Sequence, residues 1–144
     1  MLRLSKLADY GSQVMAYMAR EHAMHSASDV ASATGIAMPT VSKILKMLAR
    51  NNLLQSVRGA KGGYVLSRRP TDISIVEIID AMDGPISITE CSTSTCHQES
   101  VCSTRANWQD INNLIRDALG RVTLAQMIEP KPQVVNLVRP GVYA

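Results

Sequence analysis

Apolar side chains recur every three to four residues along much of this chain, which is the period of an amphipathic helix. One such stretch predicts a helix from Ser5 to about His22. A second, shorter stretch ends at Thr34, and Gly35 separates it from a third stretch that Pro39 opens. Two helices joined by a short turn that contains glycine are typical of a helix-turn-helix. The pattern therefore predicts this motif in the first part of the chain.

Two short apolar runs follow, Leu53–Val57 and Tyr64–Ser67, and a glycine-rich segment with two cations lies between them. Runs of this length on either side of glycines predict a β-hairpin. A nucleotide-binding phosphate loop does not fit, because that motif requires Gly-Lys-Ser/Thr at the start of a helix, whereas Gly62-Gly63 leads into the second run. A hairpin directly after a helix-turn-helix predicts a winged helix-turn-helix.

Further helices are predicted after the hairpin. Ser74 and Glu77 have the spacing of a capping box, and Gly84-Pro85 ends the helix that follows. A long amphipathic helix begins after Ser103, and a short helical turn is expected at Thr123–Met127. The apolar positions of the long helix are Trp108, Ile111, Leu114, Ile115, Ala118, Leu119 and Val122.

This long helix lies beyond the predicted DNA-binding domain and has little core left to cover within its own chain. A second copy would cover its apolar face, since operators are usually bound by two-fold dimers with half-sites about 34–36 Å apart. Packing on its own domain is the alternative. We therefore expect a homodimer whose fold is mainly α with a small β-hairpin, comprising a winged helix-turn-helix DNA-binding domain plus a long dimerisation helix.

The length of 144 residues is that of one domain with an appended arm. We expect a DNA-binding domain over residues 1–83, a cysteine-containing loop over 84–103, a dimerisation helix region over 104–128 and a C-terminal tail over 129–144. The tail has three prolines and no periodicity, so it is expected to be mobile or to lie across a neighbour. No apolar run approaches the roughly 18 residues that span a bilayer, and no signal peptide follows Met1, so we expect a cytoplasmic protein without a membrane partner.

Charge is distributed unevenly along the chain. No Asp or Glu occurs from residue 30 to residue 71, a span that holds seven Lys or Arg. Residues 1–69 carry a net charge of +7, and residues 70–144 carry a net charge of −4. Cations that neutralise phosphates release condensed counterions, and nearby acids would oppose that contact. We therefore predict that the first half binds a double-stranded DNA operator. The 3% aromatic content weighs against binding single strands by base stacking.

The third predicted helix would present its N-terminal end to the bases, as recognition helices do. Pro39 is tolerated there, because a first-turn N–H has no intrahelical partner in any case. Thr40, Ser42 and Lys43 are candidates for contacts with bases, and Lys46 is better placed for a phosphate. A polar helix face that is merely solvated is the alternative, and the missing acids disfavour it.

The hairpin tip contains the remaining candidates for DNA contact. Arg58 and Lys61 flank glycines, and Gly59 and Gly62 would let the backbone come close to the sugar-phosphate chain. An arginine at such a tip can enter a narrow minor groove.

All three cysteines lie in one polar loop, with the spacing Cys91-x4-Cys96-x5-Cys102. A structural cysteine is normally buried as a small apolar residue, and an odd number of cysteines does not fit a disulfide framework. Three thiols this close in sequence can converge, and soft thiolates select zinc, copper(I) or iron–sulfur clusters. The wide gaps suit something larger than a single ion. A thiol redox switch and inert cysteines are the alternatives.

Together these segments resemble the Rrf2 family of bacterial transcription regulators, which includes IscR, NsrR and RirA, and they are close to the branch that regulates the SUF iron–sulfur assembly operon. The similarity spans roughly residues 1–127. It rests on the three-cysteine loop and on the motifs LRLSKLADYG, MPTVSKILKMLARNNLL, SVRGAKGGYVLSR and ISIVEIIDAMDGP. The resemblance implies a homodimer with the helix after the cysteines as its dimerisation helix.

The resemblance also implies that Cys91, Cys96 and Cys102 hold an iron–sulfur cluster, of either the 2Fe–2S or the 4Fe–4S type. The first gap between these cysteines is one residue shorter than in the relatives. The fourth ligand of the IscR type is a His three residues after the last cysteine, where this chain has Arg105.

In the NsrR type, the fourth ligand is an acid on the first helix of the other protomer, and Asp9 occupies that position here. The alternative is a structural role, in which Asp9 complements the dipole of its own helix. His97, next to a cysteine, is a further candidate.

The expected function is that of an iron–sulfur-cluster-responsive, DNA-binding transcriptional regulator that represses iron–sulfur cluster assembly genes. A winged-helix regulator without a cluster, which senses thiol chemistry or nitric oxide or binds zinc, is the alternative. An enzyme is not expected, because no nucleophile is paired with a base.

Overall fold

The computed structural model describes residues 3–92 and 96–130, and within these ranges it contains six α-helices and one two-stranded antiparallel sheet. The elements are α1 (Lys6–Glu21), α2 (Ala27–Thr34), α3 (Met38–Arg50), β1 (Leu54–Val57), β2 (Gly63–Leu66), α4 (Ile75–Asp83), α5 (Arg105–Gly120) and α6 (Leu124–Ile128). Of the predicted C-terminal tail, residues 131–144 lie outside the described residues. No helix in the described ranges is both long enough and apolar enough to cross a membrane.

Capping boxes start several helices. The predicted box at Ser74 and Glu77 is confirmed at the start of α4, and Ser26 and Asp29 form the same arrangement at the start of α2. In each box, the serine accepts a hydrogen bond from the third-residue N–H while the carboxylate accepts one from the serine N–H. These bonds satisfy N–H groups that have no partner within the helix.

Helices α2 and α3 form the predicted helix-turn-helix. Gly35 ends α2 with φ 71°, in the left-handed region where a side chain would be strained, and the chain turns there into α3. The face of α3 that packs on the core is apolar and consists of Val41, Ile44, Leu45 and Leu48, all fully buried. Burial of this stripe leaves the polar residues of α3 on the outside of the domain.

The wing is the predicted hairpin. Strands β1 and β2 pair from Leu54↔Leu66 to Val57↔Gly63. The sequence did not predict that the segment between α1 and α2 adds a further bridge, in which His25 and Tyr64 exchange backbone hydrogen bonds of 3.0 and 2.8 Å. The outer edge of β2 is therefore attached to the segment that leads into α2.

One apolar core lies between α1, α3 and α4, and α6 also packs into it. The N–H of Leu124 donates to the carbonyl of Ile73 at 2.8 Å, and the N–H of Ile75 donates to the carbonyl of Val122 at 2.9 Å. Leu124 is fully buried, which for a leucine side chain is worth about 1.5–3 kcal/mol. The chain segment after α5 thus returns to the DNA-binding domain.

Helix α5 has one buried residue, Asn112, within its whole length. An ion pair attaches it to α4, because Arg116 Nη1 donates to Asp80 Oδ1 at 3.1 Å and Nη2 contacts Oδ2. Its outer face leaves Trp108, Ile111 and Leu114 exposed. An amphipathic helix with its apolar face in solvent has no complete core of its own.

Candidate nucleic-acid interface and cysteine loop

The predicted DNA-contact residues of α3 lie along its outer face. Pro39 is in the first turn, as predicted, and Pro39, Lys43 and Lys46 are exposed while Thr40 and Ser42 are half-buried. A shallow surface hollow follows this side of the helix and is lined by Pro39, Ser42, Lys43, Lys46, Met47 and Arg50. The structure therefore brings Pro39, Ser42, Lys43 and Lys46 together with Arg50 on one accessible surface, and Thr40 does not line this hollow.

Ion pairing divides the seven cations of the acid-free span into two groups. Arg68 pairs with Glu77 at 2.7 Å, and Arg69 pairs with Asp72 at 3.0 Å. The other five cations make no ion pair to any described carboxylate, and they are Lys43, Lys46, Arg50, Arg58 and Lys61. Three of the five lie on α3 and two at the wing tip, so both predicted contact elements have free positive charge for phosphates.

The wing tip is a tight glycine turn. Gly59 has φ 133°, a conformation that disfavours any side chain, and its carbonyl accepts a hydrogen bond of 3.0 Å from the N–H of Gly62. A Cβ at Gly62 would lie 2.5 Å from the carbonyl oxygen of Val57, so a side chain does not fit there. The turn exposes Arg58 and Lys61, as the sequence predicted.

The three cysteines lie in the segment between α4 and α5. Each of them is a free, half-buried thiol. Residues 93–95, between Cys91 and Cys96, lie outside the described residues. Within the described ranges, no three His, Cys, Asp or Glu side chains are close enough together to hold a metal ion. The predicted convergence of Cys91, Cys96 and Cys102 is thus not formed among the residues that the structure describes.

The chain before the first cysteine is anchored to α5. The side-chain oxygen of Asn112 accepts a hydrogen bond of 2.8 Å from the N–H of Ile88, and its amide nitrogen donates to Thr89 Oγ1 at 3.1 Å. Asn112 is only 5% exposed. It therefore connects the middle of α5 with the backbone that leads into Cys91.

The chain between the second and third cysteines is anchored to the start of α5. Arg105, the first residue of α5, forms an ion pair with Glu99, and the N–H of Glu99 donates to the carbonyl of Cys96 at 3.3 Å. At the position where the resemblance implied a ligand in the IscR type, this chain therefore has an arginine that contacts a carboxylate of the loop. Both anchors were missed from the sequence, because the spacing of Asn112, Glu99 and Arg105 has no motif that would indicate a contact.

The donor chemistry of the loop fits an iron–sulfur cluster. Cys102 Sγ lies 3.4 Å from Thr104 Oγ1. Hydrogen bonds from the side chain and backbone of Thr104, with smaller effects from Arg105, lower the pKa of the Cys102 thiol below its ordinary value. A lowered thiol pKa favours the thiolate, which is the form that binds metal. Three free thiols, one of them favoured as a thiolate, form a donor set of the kind that holds such clusters.

The structure places the two other candidate ligands on the surface. Asp9 is exposed in the first turn of α1 and accepts a hydrogen bond of 3.3 Å from Gln13 Nε2. His97 is exposed in the cysteine loop. Neither residue belongs to a metal-binding group within the described part of a single chain. A role for Asp9 toward a second copy remains a prediction.

Residues 4–130 match the sequence model of a known family, Rrf2, described as an iron-dependent transcriptional regulator. This chain belongs to the Rrf2 family. ORF2 of Azotobacter vinelandii, a candidate HTH-type transcriptional regulator, is 34% identical over 115 residues, which are 79% of this chain and 70% of the relative. The regulator IscR of Pectobacterium atrosepticum is 30% identical over 111 residues, which are 76% of this chain and 67% of IscR.

Solved structures of Rrf2 regulators have the same fold. CymR, the global cysteine regulator of B. subtilis, superposes with a TM-score of 0.70 at 28% identity and covers 89% of this chain and 97% of CymR. IscR of T. potens superposes with a TM-score of 0.67 at 29% identity and covers 88% of this chain and 86% of that chain. These comparisons confirm the predicted winged-helix fold. They also confirm that the chain is a transcriptional regulator and not an enzyme, and family membership implies that it binds DNA.

Proposed function

We propose that this Rrf2 protein is an iron–sulfur-cluster-responsive repressor of iron–sulfur cluster assembly genes. One observation supports the proposal: three free, half-buried thiols lie in one loop, and this loop contacts α5 both before and after residues 93–95, which lie outside the described residues. Helix α5 is in turn attached to the DNA-binding domain by Arg116 and Asp80. A change in the loop can therefore reach the DNA-binding domain through direct contacts.

The residues that would hold the cluster are Cys91, Cys96 and Cys102, with Asp9 of a second copy as the fourth ligand. When bound, a cluster supplies a redox-active, oxygen-sensitive group that links the loop into one unit. Because the described residues form no group of three potential ligands, the loop would have to close around a cluster to bind it. The contacts of the loop with α5 would then depend on whether a cluster is bound.

The DNA contacts in this proposal come from two elements. Thr40, Ser42 and Lys43 of α3 contact base edges, and Lys46 contacts a phosphate. Arg58 and Lys61, with Gly59 and Gly62 beneath them, contact the sugar-phosphate backbone or the minor groove. The cations of α3 and of the wing tip make no ion pair to a described carboxylate, whereas Arg68 and Arg69 do, and this difference supports DNA contact by these two elements.

The active form in this proposal is a homodimer. The exposed residues Trp108, Ile111 and Leu114 of α5 form an apolar stripe. A groove of about 570 Å³ lies between α5, the end of α4 with the residues after it, and the residues that precede α1. Leu4 and Ile115 are among the residues that line this groove. A second copy of α5 would cover both features, and it would bring α1 of one copy toward the loop of the other.

The test compares DNA binding with and without the cluster. A duplex is selected from a random-sequence library by protein that was purified under anaerobic conditions. Iron, acid-labile sulfide and visible absorbance are measured, and the affinity for this duplex is then compared between the native protein, the chelator-stripped protein and the Cys91→Ser, Cys96→Ser and Cys102→Ser variants. Because coupling between sites is typically 1–3 kcal/mol, we expect affinities that differ by about 5-fold to 150-fold.

The outcomes separate the proposal from its alternatives. Equal affinities of the coloured and the stripped protein would reject cluster sensing. Zinc without sulfide would favour a zinc-bound regulator.

A thiol sensor is the second candidate function, and a specific similarity favours it. An oxidised form of Staphylococcus aureus CymR superposes on this chain with a TM-score of 0.67 at 26% identity. Here the three free thiols would themselves react, with no iron needed. Iron-free protein whose DNA affinity changes on oxidation and recovers on reduction would support this candidate, and loss of that response in the cysteine variants would identify the thiol.

A further inference from the structure

The wing is hydrogen-bonded close to its tip by His25, a residue outside the hairpin. Tyr64 lies one pair below the tip pair Val57↔Gly63, and it exchanges both of its outward backbone hydrogen bonds with His25. At the opposite end of the wing, the N–H of Ser67 donates to the carbonyl of Leu53 at 3.2 Å, which joins the two arms of the hairpin to each other. His25 therefore pairs with the end of the wing that carries the cations.

The side chain of His25 connects this backbone pairing to α1. Its ring lies against the ring of Tyr17, with centroids 4.9 Å apart and planes tilted by 56°. Tyr17 Oη is 3.4 Å from His25 Nδ1, a long hydrogen bond. The other nitrogen, Nε2, is buried without a hydrogen-bond partner among the described residues. A polar atom enclosed without a partner costs free energy, so the ring is held there by its packing against Tyr17 and by the single long hydrogen bond of Nδ1.

The segment between α1 and α2 lies so close to the wing that only glycine fits at position 63. A Cβ at Gly63 would lie 2.5 Å from the carbonyl oxygen of His25 and 2.8 Å from its carbonyl carbon. Both atoms belong to the backbone and cannot be moved by a change of rotamer. The wing and the segment that leads into α2 are therefore in close backbone contact at Gly63 and His25.

We propose that His25 is a positioning residue that holds the wing tip against α1 and thereby lets Arg58 and Lys61 contact DNA. The inference rests on the proposed function in one respect, namely that the wing contacts DNA. No contact of His25 itself with DNA is required. Tyr17 on α1 holds the ring of His25, and the backbone of His25 holds Tyr64 through two hydrogen bonds. Because Tyr64 is next to the tip pair, its position sets the position of the wing tip.

The test measures how the affinity for the selected duplex depends on salt. Each phosphate contact contributes about 0.9 to the slope of log K against log salt concentration. Replacement of His25 by Asn removes the ring contact, so we expect the slope to fall by about two and the affinity at 100 mM salt to fall roughly tenfold or more. His22→Asn is the matched control, because His22 is exposed and Asn tolerates its left-handed φ of 42°. This control should keep both values.

A double-mutant cycle distinguishes positioning from general damage. In the Arg58→Ala/Lys61→Ala background, His25→Asn should change the affinity by less than about twofold, because the contacts that it supports are already gone. His25→Phe keeps a ring against Tyr17 and should restore the slope. If His25→Asn does not fold, Gly63→Ala provides the same test, since it pushes the wing away while the ring stays.

The outcomes separate two failures. An unchanged slope in Arg58→Ala/Lys61→Ala would remove the wing from the proposed function. A lowered slope in that variant, with an unchanged slope in His25→Asn and in Gly63→Ala, would overturn the positioning role and leave the wing contact standing.

Discussion

At the scale of single residues, Arg58 and Arg68 differ in the partner that each side chain has. Both lie in the same acid-free span, but Arg68 is ion-paired with Glu77 at 2.7 Å, whereas Arg58 makes no ion pair to a described residue. Arg68 also donates to the carbonyl of Asp72 at 2.8 Å. A cation already engaged with a carboxylate gains less from a phosphate, so these two arginines should differ in their effect on DNA binding.

The prediction is that Arg58→Ala lowers the salt slope of DNA binding by about one and weakens binding by roughly fivefold to tenfold at 100 mM salt. Fluorescence anisotropy with the selected duplex at several salt concentrations measures both values. Arg68→Ala is the matched control and should leave the slope unchanged. Equal slopes for Arg58→Ala and the native protein would contradict a phosphate contact by Arg58.

At the scale of elements, the cysteine loop depends on one buried amide. Asn112 satisfies the N–H of Ile88 and the hydroxyl of Thr89, and it is the one buried residue of α5. Truncation of that side chain leaves a backbone donor without its partner. The segment ahead of Cys91 would then lose these two hydrogen bonds to α5.

We expect Asn112→Ala to lower the free energy of unfolding by about 1–3 kcal/mol, because a part-buried N–H loses its acceptor. Urea unfolding followed by circular dichroism measures this change, and hydrogen exchange over residues 86–92 should become faster. Asn113→Ala is the control, since its neighbour Asn113 is exposed, and its effect should stay within about 0.5 kcal/mol. Similar losses in both variants would show that the attachment contributes nothing specific.

At the scale of the whole molecule, the question is what covers α5. Leu114 is 68% exposed and Trp108 is 38% exposed on the same helix, beside the groove that Leu4 and Ile115 line. Scattered apolar residues on a surface need no explanation, but a stripe along one helix next to an apolar groove indicates an interaction surface. A homodimer built on α5 uses all of these features.

The corresponding prediction is that Leu114→Glu weakens dimerisation by roughly tenfold or more, because a charge replaces an apolar residue at the centre of the interface. Sedimentation velocity over a range of protein concentrations gives the dimer dissociation constant. Met127→Glu is the matched control, since Met127 is 45% exposed on α6 and lies outside both the stripe and the groove. A monomeric native protein would reject the dimer, and equal weakening by both variants would place the interface elsewhere.

Local pattern was enough to predict the elements, and it also supplied the candidate DNA contacts, which remain a prediction. The helices, the capping box at Ser74 and the glycine turn after Arg58 follow from side-chain period and turn chemistry, which act over a few residues. The absence of acids from residue 30 to residue 71 likewise needed no coordinates. The family resemblance extended this local information to a complete fold, and the comparisons confirm it.

Contacts between segments far apart in the chain were decided by the tertiary structure. The pairing of Arg68 with Glu77, which divides the free cations from the engaged ones, depends on where α4 packs. The same is true of His25 against Tyr64 and of Asn112 against Ile88, two contacts that no spacing indicates. The sequence by itself determined which residue types are available and which elements they form. Folding decided which of them meet, because partners across a fold are selected by packing of the whole core.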